Sequence, residues 1–231
     1  RFPERDDGSI LQGYEDRETP LLRTEWVYDG LRLQQHVFAY VPGAKPIESG
    51  IEPLFAWVRL TILGGTPGLP LDDEYGFDIK LNYPHIAHTM AIRNNLLYVP
   101  EESRYPRPLT PSAAQYDPAG DWQLLEPDGR ARLAIPAGQS CTLKWMPGQP
   151  KERDSLLFIR MKTLPGTHVD LLVPILPTPT TQMAAELKIG YEAALVEADR
   201  YWSARPATAA TFDTPEMPIN RLIERGLKYA E

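Results

Sequence analysis

The chain has 231 residues, a formal net charge of −7 and 42% apolar residues, material for one large domain or for one domain with an appendage. An acidic chain lacks the basic footprint that displaces counterions, so nucleic acid is excluded as an expected partner. The single cysteine, Cys141, excludes an intrachain disulfide, and no uncharged run reaches the ~20 residues of a membrane span.

The opening RFPERDDGS has no charged and apolar leader pattern and reads as a mature or trimmed end. A removed signal peptide is compatible with it, which favours a periplasmic or secreted setting over a cytoplasmic one. The 24 prolines are about twice ordinary usage and lie between apolar runs, marking loops and turns.

From Thr24 to Pro174 short strands alternate with turns. In TEWVYDGLRLQQHVFAYV two strand-forming runs flank Asp29-Gly30, a pair suited to a two-residue hairpin turn. EPLFAWVRLTIL puts Phe55, Trp57, Arg59 and Thr61 on one face and Ala56, Val58, Leu60 and Ile62 on the other. The second face is fully apolar and is expected to meet a core. YGFDIKLNY, DWQLL, RARLAI, CTLKW, SLLFIRMK and HVDLLVPIL follow as further strands, the last nearly continuous and so expected to be buried on both faces. Strands at roughly ten-residue spacing with Gly/Pro turns predict an antiparallel β-sandwich or barrel. RYPRPLTPSAAQYDPAG is the expected long irregular loop.

The period changes at Thr180. Met183, Leu187, Tyr191, Ala194, Leu195, Ala198, Tyr201 and Trp202 recur every three or four residues, predicting one amphipathic helix of more than 20 residues that ends before Pro206. A second helix begins at Pro218, where a missing N–H costs nothing. Its stripe of Ile219, Leu222, Ile223, Leu227 and Ala230 is too short to be stable alone. The chain therefore reads as cut, with the partners of this helix encoded downstream. The expected division is a sandwich over 1–178, a linker helix over 179–205, and an extended segment with a first barrel helix over 206–231.

This order of parts resembles the six-hairpin glycosidases, the superfamily of glucoamylase-like and α-L-rhamnosidase-like enzymes. The resemblance rests on the Arg200-Tyr201-Trp202 element, the turn from Thr214 to Arg221, and the phrases LAIPAGQSCTLKW and PLFAWVRLTI. It implies a galactose-mutarotase-like super-sandwich ahead of an (α/α)6 barrel, and hydrolysis by an acid and a base carboxyl. Those carboxyls belong to the barrel, so the resemblance implies no catalytic residue and no hydrolytic activity in this chain. A sandwich in such an enzyme buries one end of the barrel, lends a loop to the sugar cleft or mediates dimer contacts. The implied partners are carbohydrate, the missing C-terminal barrel and a second copy of the chain. No cofactor is implied.

Other constellations have plainer readings. Asp72, Asp73, Glu74 and Asp78 offer oxygens for a hard cation but lack the spacing of a calcium loop, and read as a solvated turn. His85 and His88 have zinc-ligand spacing without a third ligand. His168 and Asp170 lack the nucleophile elbow of a triad. GGTPGLP lacks the Lys-Ser/Thr of a phosphate loop, and Cys141 reads as a small buried hydrophobe.

Tyr98, Tyr105, Tyr116 and Trp122 flank or occupy the long loop and are the carbohydrate-stacking candidates, with core packing as the competing expectation for Trp122. Two alternatives therefore accompany the glycosidase reading. One is a free-standing carbohydrate-binding module using the 98–122 loop. The other is a mutarotase-like epimerase, which needs one of His36, His85, His88 or His168 to meet a carboxylate in one cleft.

Overall fold

The computed structural model describes residues 10–15, 17, 19–28, 30–45, 52–65, 75–82, 91–93, 96–98, 109–147, 154–204, 215–216 and 219–220. The first strands are β1 (Ile10–Tyr14), β2 (Leu22–Tyr28), β3 (Leu31–Tyr40), β4 (Phe55–Gly65), β5 (Tyr75–Asn82), β6 (Ala91–Arg93) and β7 (Leu96–Tyr98). Next come β8 (Thr110–Pro111), β9 (Trp122–Leu125), β10 (Ala131–Ile135), β11 (Cys141–Met146), β12 (Asp154–Met161) and β13 (His168–Pro174). One long helix, α1 (Thr180–Ser203), follows.

The strands make an eight-stranded sheet in the order β1-β2-β3-β4-β13-β10-β9-β8, a three-stranded sheet β11-β12-β5, and the hairpin β6-β7. Among the described residues the strand pairings are antiparallel throughout. The architecture is thus mainly β and sandwich-like, as the strand spacing predicts. Residue alternation explains its layers. On β4, Leu60 and Ile62 point into an apolar cluster shared with Leu157 and Ile159 of the small sheet, while Phe55 and Trp57 point the opposite way into a cluster with Met183, Leu187 and Tyr191 of α1. The large sheet is the middle of three layers. Its central strand β13 buries Val169, Asp170, Leu171 and Leu172 in succession, so both of its faces are covered.

Local chemistry sets the connections. Gly30 takes φ +75° between Tyr28 and Leu31, a paired couple at the end of the β2–β3 hairpin. The EPDG turn joins β9 to its neighbour β10. The following PAG turn does something the sequence pattern does not announce: it hands the chain from the large sheet to the small one, since β11 pairs with β12 and not with β10. Ala131 and Thr178 then exchange both backbone hydrogen bonds at 2.7 and 3.0 Å, which ties the approach to α1 onto the sheet.

The long helix is not continuous. At Gly190 the backbone adopts φ +79° and ψ 163°, dividing α1 into two helical halves. That region is accessible in practice only to glycine. The apolar spacing runs on from Leu187 to Tyr191 and Ala194, so periodicity alone predicts one uninterrupted helix. Beyond α1, Ile219 and Asn220 are helical and bond back to the Glu216 carbonyl. Most of the predicted stripe, Leu222 to Ala230, lies outside the described residues.

Candidate functional site

The 112–121 loop brings two of the four stacking candidates together. Trp122 opens β9 on the face toward the small sheet, is 2% exposed, and donates its indole N–H to the Ala113 carbonyl at 2.9 Å. Tyr116 is half-buried against the same cluster. Its hydroxyl donates to the Pro136 carbonyl at 2.6 Å and accepts from the Gln139 N–H at 2.8 Å. Burial raises the pKa of this phenol. Both aromatics close the loop with their polar ends and pack inward with their rings, so Trp122 is a core residue with no face to offer a sugar. Tyr98 ends β7 with its side chain outside the described residues, and Tyr105 lies outside them altogether.

The remaining sequence candidates separate in the same way. Asp72, Asp73, Glu74, His85 and His88 fall outside the described residues, as does the side chain of Asp78. Among the described residues no group of three His, Cys, Asp or Glu side chains is arranged to hold a metal ion. Cys141 is half-buried on β11, and burial pushes its thiol up to about 11, away from nucleophilic use at neutral pH. His168 and Asp170 share a face of β13, but Asp170 spends both carboxylate oxygens on Arg59.

That Arg59–Asp170 pair belongs to a polar constellation the sequence did not disclose. Arg23 of β2, His36 of β3, Arg59 of β4 and Asp170 of β13 stand directly opposite one another across four strands. They share the face that carries Trp57 and Phe38 onto the helix, two positions further along each strand. The neighbouring row holds Glu25, Gln34, Thr61 and His168. The part of this face next to α1 is therefore aromatic and the part beyond it is charged.

Arg59 is the hinge between the two parts. Its Nε and Nη2 donate to Asp170 at 2.6 and 2.9 Å, its Nη1 reaches Glu192 at 2.5 Å, and its guanidinium carbon sits 3.8 Å from the centre of the Tyr191 ring. Burial disfavours the charged guanidinium, but Asp170 and Glu192 outweigh it and raise the pKa further. Asp170 is held in turn by the Gln139 side chain, which accepts its backbone N–H at 3.0 Å. A bidentate guanidinium–carboxylate pair with a stacked aromatic is rigid. It fixes the start of the second half of α1, immediately after Gly190.

Next in the row, His36 Nε2 lies 3.5 Å from Glu15 Oε1, and Arg23 reaches the same oxygen at 3.2 Å. Burial lowers the pKa of His36 more than Glu15 raises it, which favours a neutral ring at neutral pH. The approach is not a hydrogen bond, since His36 Nε2 is buried without a hydrogen-bond partner among the described residues. The sequence places Arg59 on one strand face with Phe55, Trp57 and Thr61 and says nothing of what it pairs with. Nothing in the local sequence named Asp170, 111 positions away, or Glu192.

Two more contacts hold α1. Glu197 accepts the Tyr40 hydroxyl at 2.8 Å and the Gly43 N–H at 3.0 Å. Asp199 accepts the Arg17 guanidinium, the Thr19 N–H at 3.1 Å and the Thr19 hydroxyl at 2.6 Å. The described helix is not long and apolar enough to cross a membrane. No family model, no curated protein and no solved structure matches this chain.

Proposed function

We propose that this chain is the sandwich module of a carbohydrate-active enzyme of the six-hairpin glycosidase type, with α1 as the linker that positions a catalytic domain following it. The observation that carries the reading is the triple anchoring of α1 by Arg59–Glu192, Tyr40–Glu197 and Arg17–Asp199. All three lie in the half of the helix nearest the downstream chain. A helix held at three points transmits a fixed direction to whatever it leads into, which is the task of a linker and not of a flexible tether. Tyr98 and Tyr105 remain the carbohydrate-contact residues of this proposal.

The test is direct. The purified 231-residue chain is expected to leave aryl glycosides intact, and the same chain extended through its downstream reading frame is expected to hydrolyse one of them. Turnover by the 231-residue chain alone overturns the reading.

A second reading is favoured by one contact, the meeting of His36 with Glu15 at 3.5 Å. In a mutarotase-type reaction the Glu15 carboxylate takes the proton of the anomeric hydroxyl while the protonated, imidazolium form of His36 gives its proton to the ring oxygen. The ring C–O bond breaks, the aldehyde rotates, and reversal of the proton transfers closes the other anomer. Polarimetry of a freshly dissolved reducing sugar decides it. Acceleration lost in His36→Ala supports this reading, and a rate equal to buffer removes it.

A further inference from the structure

Glu186 occupies an unusual place for a carboxyl. It lies on the first half of α1 between Met183 and Leu187, is 7% exposed, and its Oε2 has no hydrogen-bond partner among the described residues. A buried carboxylate without a partner costs several kcal/mol on the order of an unpaired charge, whereas the protonated acid is far cheaper to bury. Its surroundings supply no compensating cation. β3 presents the Tyr40 hydroxyl, already committed to Glu197. β10 presents Ala131 and Ala134, while its Arg132 is paired with Glu126 at 3.5 Å. Lys45, after the 3-10 turn Pro42–Ala44, is exposed, as are Lys188 and Arg200 of the helix itself.

The charge that does act on Glu186 is of its own sign. Glu197 lies eleven residues further along α1, about 16 Å along a straight helix. Between them lies the break at Gly190, and both carboxyls act on Tyr40 while Glu197 acts on Glu186. Burial first, and the charge of Glu197 second, raise the pKa of Glu186 above the ordinary carboxyl range.

We propose that Glu186 is a proton-operated latch: its protonated carboxyl lets α1 fold over the sheet around Gly190, and loss of the proton drives the first half of the helix off that face. The sign follows from linkage. The folded chain holds this proton more tightly than the unfolded chain does. The stabilisation is therefore fully present below the unfolded value near ~4.3, and is lost as pH rises through the folded value. The latch acts upstream of all three anchors, so the second half of α1 stays in place when the first half loosens.

Amide hydrogen exchange on the 231-residue chain reads the motion, with the side-chain carbon signal of Glu186 reading the proton. After correction for intrinsic base catalysis, amides in 183–189 are expected to exchange severalfold faster at pH 8 than at pH 5, the direction that linkage gives for a carboxyl whose folded pKa is raised. Amides in 195–201 are expected to hold steady. Glu186→Gln, a neutral side chain of the same shape, is expected to abolish the acceleration. A Glu186→Gln profile that matches the wild type overturns the proposal. So does a Glu186 carboxyl that titrates at the ordinary value, which decides the matter even if the variant does not fold.

Discussion

The two faces of the large sheet bury their residues by different means. Toward the small sheet the cluster is apolar, with Leu60, Ile62, Leu157, Ile159 and Leu171 all at or below 4% exposure. Toward α1 the cluster is aromatic and laced with polar atoms. Trp57 Nε1, Tyr191 Oη, Gln123 Oε1 and Glu186 Oε2 are buried there without a hydrogen-bond partner among the described residues. The first face is specified by volume: any close-packed set of similar size satisfies it. The second is specified by direction, because Arg59, Glu197 and Asp199 fix where the helix lies, and the atoms left unpaired set how easily it moves. The sheet–sheet face is a foundation and the helix–sheet face is an adjustable joint.

The largest expected effect tests the foundation. Trp122→Ala removes a fully buried indole and is expected to cost about 3–5 kcal/mol, measured by urea unfolding. A variant that keeps wild-type stability while losing oligosaccharide-dependent fluorescence reverses the assignment of Trp122 to the core.

The joint responds to charge. Arg59→Ala leaves Asp170 buried and unpaired, and a loss of about 3 kcal/mol is expected. The double variant Arg59→Met with Asp170→Leu is expected to recover most of that loss, because it removes both charges and restores volume. A double variant no more stable than the single one shows that the pair contributes more than geometry.

Next comes the bend. An added Cβ at Gly190 meets nothing within 4 Å, so Gly190→Ala tests the backbone alone. The expected loss is about 1–3 kcal/mol, from a φ of +79° that alanine avoids. A neutral result means that α1 straightens at no cost.

The smallest effect is one of pH. Burial of Asp199 opposes its charge, but hydrogen bonds from Arg17 and Thr19 prevail and hold its pKa below the usual carboxylate range. Its stabilisation is present above the unfolded value near ~3.9 and is lost as pH falls through the folded one. Asp199→Asn is expected to flatten the acid limb of the stability profile, the counterpart of the flattening that Glu186→Gln brings to the alkaline limb. Coincident acid limbs in the wild type and the variant remove Asp199 from the set of anchors.

What was legible in the sequence follows this division. The period-two alternation of β4 separates its two faces and names the Leu60–Ile62 face as a core face, but it does not announce that Phe55 and Trp57 on the other face are buried as well. The nearly continuous apolar run of β13 announced a central strand. The joint was harder to read. The break at Gly190 hides behind an apolar stripe that keeps its spacing through the glycine. The partners of Arg59 lie on a strand and a helix far along the chain, so no local pattern names them. For Trp122 the sequence supports two readings, a stacking platform beside a long loop and a packed core residue. Only the inward side of β9 shows that the ring is already used.

The neighbour relation between β4 and β13 has a kinetic consequence. These two strands lie side by side at the centre of the large sheet, yet β5 through β12, the whole small sheet included, are strung between them. The central seam therefore closes only by bringing distant parts of the chain together, a high contact order that slows folding relative to a sheet built from consecutive hairpins. The β1–β2–β3–β4 meander pairs strands that are consecutive in the chain, and β13 is the piece for which it has to wait.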